Sequence, residues 1–271
     1  MINLTTISMK FQKKVILNQI SLKLKLGAKN AIVGHTGSGK TTLALIICGL
    51  LKPSTGTVTI SSDNREICSP FEIRTFAQQK IRMIFQDAEG ALNPGMKVSN
   101  QLLEVASKFR HERNEETKLQ CLEMFDSLKL TRRAWSSYPT SLSYGQNARL
   151  NVIRALLSRP RLIVADEPFA GTDIGTKELL TQLLKNQAKK YDIGLILITH
   201  DFTVLSKLVD QVYVMKEGQI DSKYDVAKFL ENNNISKAAA ELLDGWKLLA
   251  RNNPGRNMKR EIALPETPNS P

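Results

Sequence analysis

Apolar and polar positions alternate over residues 2–8 and 15–24, with Val15, Leu17, Ile20, Leu22 and Leu24 marking the second stretch. A period near two predicts half-buried antiparallel strands. Ala31-Ile32-Val33 is a short continuous apolar run that predicts a buried strand entering a glycine-rich turn. A helix is predicted next, from about Lys40 to Leu51, ended by Lys52-Pro53 because proline cannot continue the hydrogen-bond ladder. Val58-Thr59-Ile60 and Ile81–Phe85 read as further strands. From Gln86 to Arg159 the pattern turns helical and polar, which predicts an inserted helical subdomain over about 87–160.

Leu162–Ala165 and Leu195–Ile198 are continuous apolar runs, as expected of strands covered on both faces of a parallel sheet. Between them Leu179, Leu180, Leu183, Leu184 and Ala188 follow helical spacing, and Gln211–Met215 supplies another strand closed by Glu217-Gly218. The expected fold class is α/β, with a mainly parallel sheet, an antiparallel β subdomain and the helical insertion. The expected organisation is one domain over 1–230, a helical extension over 231–252 that includes Ser236–Leu249, and a disordered tail over 253–271. That tail holds Pro254, Pro265, Pro268 and Pro271, a composition that buries too little apolar surface to order itself.

At 271 residues and 42% hydrophobic composition the chain can bury a sizeable core. The best apolar run, Ala44–Leu51, has eight residues, far short of the roughly 18–20 that cross a bilayer. The first residues lack the charged-then-apolar order of a secretory leader, so a cytosolic chain is expected. Cys48, Cys68 and Cys121 are far apart in sequence, which argues for reduced thiols over a disulfide framework or a zinc site. The net charge of +12 is uneven, with eight lysines and no acidic residue before Asp63. Such a surface is compatible with nucleic acid, an anionic membrane or plain solvation, so charge decides nothing by itself.

Chemistry enters at Gly34-His35-Thr36-Gly37-Ser38-Gly39-Lys40-Thr41-Thr42, which fits the phosphate-loop pattern G-x-x-x-x-G-K-[ST]. Its glycines let consecutive backbone N–H groups turn inward as an anion nest, and the helix that follows begins with its positive end on the phosphates. Lys40 is expected to reach the β- and γ-phosphates and the Thr41 hydroxyl to join a Mg²⁺ shell. The core is therefore expected to be a P-loop NTPase. Leu162-Ile163-Val164-Ala165-Asp166-Glu167 is a buried strand ending in two carboxylates, placed to face a nucleotide crevice. Asp166 would hold Mg²⁺ through water, and Glu167 would polarise the attacking water. His200 follows Leu195–Thr199, at the tip of a predicted buried strand. Alone it would be an ordinary structural histidine; beside the other two elements it reads as a γ-phosphate sensor. His111, in a charged stretch, is expected to be exposed.

Leu142-Ser143-Tyr144-Gly145-Gln146 resembles the L-S-G-G-Q signature of the ATP-binding cassette (ABC) family, and it lies just before the acidic strand as that family places it. The resemblance covers about residues 1–225. It implies ATP and Mg²⁺ as ligands, adenine stacking on Phe11, and a Q-loop glutamine at Gln86 that touches Mg²⁺ and the attacking water. It also implies a D-loop aspartate at Asp173 and a switch histidine at His200. The family works as a head-to-tail pair, in which Ser143, Gly145 and Gln146 would meet the nucleotide of the partner chain. The pattern departs from the family at Tyr144, which replaces a glycine, and at Ala170-Gly171-Thr172-Asp173, where S-A-L-D is usual. Tyr144 puts a bulky residue where the family keeps backbone close to phosphate, so a heterodimer with one altered site is expected.

Phe85-Gln86-Asp87 followed by Leu92-Asn93-Pro94 is similar to the branch that imports dipeptides, oligopeptides or nickel, which antimicrobial-peptide-resistance systems also resemble. The branch implies a second, different ATPase, two permeases and an extracytoplasmic binding protein, with this chain on the cytoplasmic face of the inner membrane. With no cysteine after Cys121, no iron–sulfur cluster is expected. No nucleic-acid partner is expected either. The competing readings are a DNA-repair or ribosome-associated ABC ATPase without a membrane partner, and the ATPase of an exporter.

Overall fold

The computed structural model describes residues 1–62, 65–110, 115–232 and 234–251. His111 and the 253–271 tail lie outside them. In chain order the elements begin with β1 (Ile2–Phe11), β2 (Lys14–Leu24), β3 (Lys29–Gly34), α1 (Lys40–Ile47), β4 (Thr55–Ser62), β5 (Arg65–Ile67), α2 (Pro70–Lys80) and β6 (Ile81–Ile84). The helical stretch holds α3 (Val98–Arg110), α4 (Glu115–Ser127), α5 (Arg132–Trp135) and α6 (Tyr144–Leu157). Then come β7 (Leu162–Asp166), α7 (Ile174–Tyr191), β8 (Gly194–Ile198), α8 (Leu205–Leu208), β9 (Gln211–Lys216), β10 (Gln219–Asp225), α9 (Val226–Glu231) and α10 (Lys237–Arg251).

The strands form two sheets. One is antiparallel, in the order β2-β1-β4-β5; the other runs β10-β9-β3-β8-β7-β6 and is parallel except for the β10–β9 pair. The two-residue period of a strand sorts the central strands into two cores. Ala31, Val33, Ile163, Ala165, Leu195 and Leu197 face the helices of the 98–157 region and α7. Their neighbours Ile32, Leu162, Val164, Ile196 and Ile198 face α1 and the antiparallel sheet. Both faces being covered explains why β7 and β8 read as unbroken apolar runs. Each fully buried Leu or Ile stabilises the sheet by roughly 1.5–3 kcal/mol.

Register then lines up the strand ends. Ile32 lies opposite Ile198, and Asp166 opposite Ile198 on the other side, so the loops leaving β3, β7 and β8 emerge at one edge. That carboxyl edge is where open α/β sheets bind ligands.

The structure departs from the periodicity in several places. Helix α1 ends at Ile47 rather than Leu51, since Cys48 caps it and Leu50 and Leu51 bond back to the Leu45 carbonyl. Helix α2, strands β5 and β10 and helix α9 carry no clear apolar period. The N-terminus of α2 was nonetheless written locally: Ser69 accepts from the Glu72 N–H at 3.2 Å and Pro70 occupies the first helical position, a start signal in its own right. Helix α10 buries Ala238, Ala239, Leu242, Leu243 and Trp246 in the same core as Phe202 and Phe229. The Phe202 and Trp246 ring centroids are 5.6 Å apart.

Candidate functional site

The loop between β3 and α1 is shaped by close approach. A Cβ added at Gly34 would stand 2.3 Å from the Met215 carbonyl oxygen and 2.8 Å from Ser38 Oγ, so no side chain fits there. Gly37 and Gly39 take φ values of +82° and +99°, which L residues rarely adopt. Gly39 caps α1 without a side-chain bond, and no acidic residue sits in the first turn. The positive end of the helix and its N–H groups are therefore left open for an anion. Lys40 is only 7% exposed, and its Nζ donates to the Gly34 and His35 carbonyls at 2.8 and 2.9 Å. Burial lowers its pKa, opposed by the charges of Glu167 and Asp166.

Across the crevice, β7 ends in Asp166, 5% exposed. Burial raises its pKa, opposed by a bond with Thr41 and by the charges of Lys40 and His200. Glu167 follows at φ +47°, a strained conformation, pinned by its N–H donating to the Ile198 carbonyl at 2.9 Å. Thr199 Oγ1 donates to Glu167 Oε2 at 3.3 Å, while Oε1 is buried with no hydrogen-bond partner. Burial first, and the Asp166 charge second, push the Glu167 carboxyl up to about 7. His200 Nε2 stands 3.7 Å from that free Oε1, beyond hydrogen-bond reach. Burial and then the Lys40 charge lower the His200 pKa, opposed by the Asp166 charge; the net lowering favours the neutral ring.

These groups line one crevice of about 580 Å³, together with Thr36, Gly37, Gly39, Thr41, Thr42 and Gln86. The Thr41 hydroxyl, the Gln86 amide and the Asp166 carboxylate form a hard-oxygen donor set suited to Mg²⁺. A buried carboxylate whose charge is disfavoured by desolvation fits a cation site.

Other sequence-predicted residues stand elsewhere. Phe11 is 49% exposed at the end of β1 and does not line the crevice; Lys14 and Ile16 of β2 do. Ser143 and Gln146 close a capping box at the start of α6, each side chain bonded to the other's backbone N–H. Asp173 caps α7 through the Thr176 N–H at 2.9 Å and hydroxyl at 2.6 Å. Sequence reasoning missed Lys14, Ile16 and Thr199. Only Thr199 carried a signal, being the hydroxyl residue adjacent to His200.

The family model described as ABC transporter matches residues 17–170. This chain belongs to the ABC transporter family. The cassette is 33% identical to the oligopeptide transport ATP-binding protein OppD of Escherichia coli over 210 residues, 75% of this chain. It is 33% identical to the putrescine export system ATP-binding protein SapF of the same organism over 212 residues, 78% of this chain. It spans 77% of SapF but less than two thirds of two other relatives, 62% of OppD and 42% of YejF, an E. coli ABC transporter ATP-binding protein. The dimeric, ADP- and Pi-bound ATP-binding cassette MJ0796 superposes with a TM-score of 0.72 at 28% identity, over 83% of this chain and 99% of that one. Among the described residues of the cassette, no helix is long and apolar enough to cross a membrane.

Proposed function

We propose that this cassette binds ATP in the crevice between β3, β7 and β8 and hydrolyses it to drive a membrane transporter. The observation that carries this is the buried Glu167 oxygen with no partner, held on a strained backbone opposite the phosphate loop. Lys40 would exchange its bonds to the Gly34 and His35 carbonyls for the β- and γ-phosphates. Thr41, Gln86 and, through water, Asp166 would hold Mg²⁺, which would supply charge neutralisation on the transferred phosphoryl group.

Glu167 accepts a proton from water as its oxygen bonds the γ-phosphorus, the bond from that phosphorus to the bridging oxygen breaks, and ADP and phosphate leave. A carboxyl near 7 is suited to that exchange at neutral pH. His200, neutral, donates a ring N–H toward the γ-phosphate. Phe11 would reach adenine from the hairpin next to Lys14 and Ile16, a role its exposure permits.

The transporter reading extends to import of peptides or of nickel and other metal complexes; the OppD likeness supports the peptide alternative. The working unit is a head-to-tail dimer in which Ser143, Gly145, Gln146 and Asp173 meet the partner's nucleotide. The partner is a second, different ATPase, given Tyr144. Two permeases and an extracytoplasmic binding protein complete it, with the cassette peripheral on the cytoplasmic face of the inner membrane. A second groove, about 800 Å³ and lined in part by Leu50, Phe71, Met83 and Phe85, supports an apolar permease contact beside Gln86.

The test is mass spectrometry of what co-purifies with the tagged chain from native membranes in mild detergent, with ATPase assayed on the same material. Two permeases, another cassette ATPase and a binding protein are expected. A purely soluble set, or nucleic acid, would overturn the transporter reading and leave the hydrolysis assay to judge the chemistry. Permeases without a binding protein would point to export.

A further inference from the structure

The two departures from the family pattern touch each other. Tyr144 stands in the signature where a glycine is usual, and Gly171 stands where the loop S-A-L-D has its alanine. A Cβ added at Gly171, whose φ is +67°, would lie 2.9 Å from Tyr144 Cε1 and 3.4 Å from Cδ1. The tyrosine ring therefore occupies the space that an alanine there would fill. From that position its hydroxyl donates to the Gln86 backbone carbonyl at 3.0 Å, across 58 residues of sequence.

The same helix holds the same loop at two more points. Asn151 Nδ2 donates to the Phe85 carbonyl at 3.5 Å, and the Arg154 guanidinium donates to the Ala91 carbonyl. Positions 144, 151 and 154 fall on one side of a 3.6-residue helix. Burial, then the charges of Asp87 and Glu89, raise the Tyr144 pKa, so the phenol keeps its proton and remains a donor throughout the neutral range.

We infer that Tyr144 is a positioning residue that ties the signature helix to Gln86 within one chain, and that Gly171 is the space admitting its ring. The tie joins two elements with different duties. Gln86 lines this chain's own crevice, whereas the start of α6 serves the neighbour's nucleotide under the function proposed above. The Tyr144 hydroxyl is the tie that reaches Gln86 itself, while Asn151 and Arg154 hold the flanking carbonyls of Phe85 and Ala91. The consequence for hydrolysis rests on that proposed function; the tie itself does not.

Amide hydrogen exchange of the full chain tests it, in wild type, Tyr144→Phe, Tyr144→Gly, Gly171→Ala and the double variant Tyr144→Gly/Gly171→Ala. Tyr144→Phe keeps the ring over Gly171 and removes only the hydroxyl. Exchange over residues 85–91 is expected to rise about three- to tenfold, as for one lost neutral hydrogen bond. Exchange over 144–150 is expected to stay unchanged, because the Ser143–Gln146 box is untouched. Gly171→Ala is expected to lower the melting temperature with Tyr144 present and far less in the Tyr144→Gly background. Left-handed backbone strain is common to both backgrounds, so the difference reads the ring contact.

Unchanged exchange over 85–91 in Tyr144→Phe, or an equal cost of Gly171→Ala in both backgrounds, would overturn the inference. In the ATPase assay Tyr144→Phe is expected to lower kcat several-fold with KM for ATP unchanged, since Tyr144 does not line the crevice. A wild-type chain that hydrolyses no ATP would sink the proposed function, and the exchange result would still decide the tie.

Discussion

The phosphate loop and the signature turn both feed a helix N-terminus, yet they leave opposite groups open. At α1 the cap is a glycine with no side-chain bond, Ser38 Oγ is buried without a partner, and Lys40 Nζ is hydrogen-bonded to loop carbonyls. At α6 the cap is a complete box between Ser143 and Gln146, and Tyr144 is bonded to Gln86. The Asp173 cap of α7 is equally satisfied. A buried polar group without a partner is costly, a cost that a polyanion and a cation would relieve under the proposed function. The signature region has its cap bonds already made, and what it leaves open is backbone N–H groups and the Ser143 hydroxyl, which accepts from the Gln146 N–H but still has its proton to donate. One region is organised to change on binding, the other to hold a shape.

Glu167→Gln is expected to change the crevice most. Loss of the proton acceptor is expected to slow ATP hydrolysis by about 10²–10⁴-fold, with ATP affinity retained. The same change should stabilise the ligand-free chain. An unfolded glutamate titrates near 4.5 and the folded one near 7, so the contribution of this group is present in full at low pH and is lost as pH rises to 7 and beyond. Removing it is expected to gain on the order of 2 kcal/mol at pH 8, about 5 °C in Tm, and nothing at pH 4. Thermal melts at both pH values check this. An equal Tm difference at the two pH values would mean that the crevice is not strained by this charge.

Lys40→Ala comes next. Its bonds to the Gly34 and His35 carbonyls are replaceable by water, but the bonds it would make to phosphate under the proposed function are not. ATP affinity is expected to fall about a hundredfold by titration calorimetry, as for charge-assisted bonds lost to a polyanion. Gly34→Ala acts through packing instead. The new Cβ meets the Met215 carbonyl at 2.3 Å, and a backbone oxygen cannot rotate away. A loss of about 1–3 kcal/mol in stability is expected, read by denaturant unfolding.

The same contrast explains what the sequence could tell. The phosphate loop is legible because its requirements are local: glycines at set intervals after an apolar strand and before a helix. The acidic end of β7 and His200 are legible because continuous apolar runs point to them. Helix α2 escaped because its apolar face is thin, although Ser69-Pro70 marks its start. Strand β10 escaped because it is an edge strand of polar residues. The contact of Tyr144 with Gly171 and Gln86 has no local signal at all. Two odd residues, 27 apart, explain each other only once the chain is folded.

The smallest expected effect is at the signature turn. Ser143 accepts from the Gln146 N–H at 3.3 Å, and Gln146 Oε1 accepts in return from the Ser143 N–H at 2.9 Å. Ser143→Ala removes the first bond and leaves the second. Stability is expected to fall by about 1 kcal/mol, the usual worth of a serine cap, measured by denaturant unfolding. ATP affinity of the isolated chain should not change, because Ser143 lies outside the crevice that Lys40 and Glu167 line. In the assembled dimer the same variant should weaken ATP-dependent association, as the lost hydroxyl belongs to the surface that would receive the neighbour's nucleotide. An isolated chain that lost ATP affinity on Ser143→Ala would show that the signature turn acts on its own crevice in cis, and the division between the two regions would have to be redrawn.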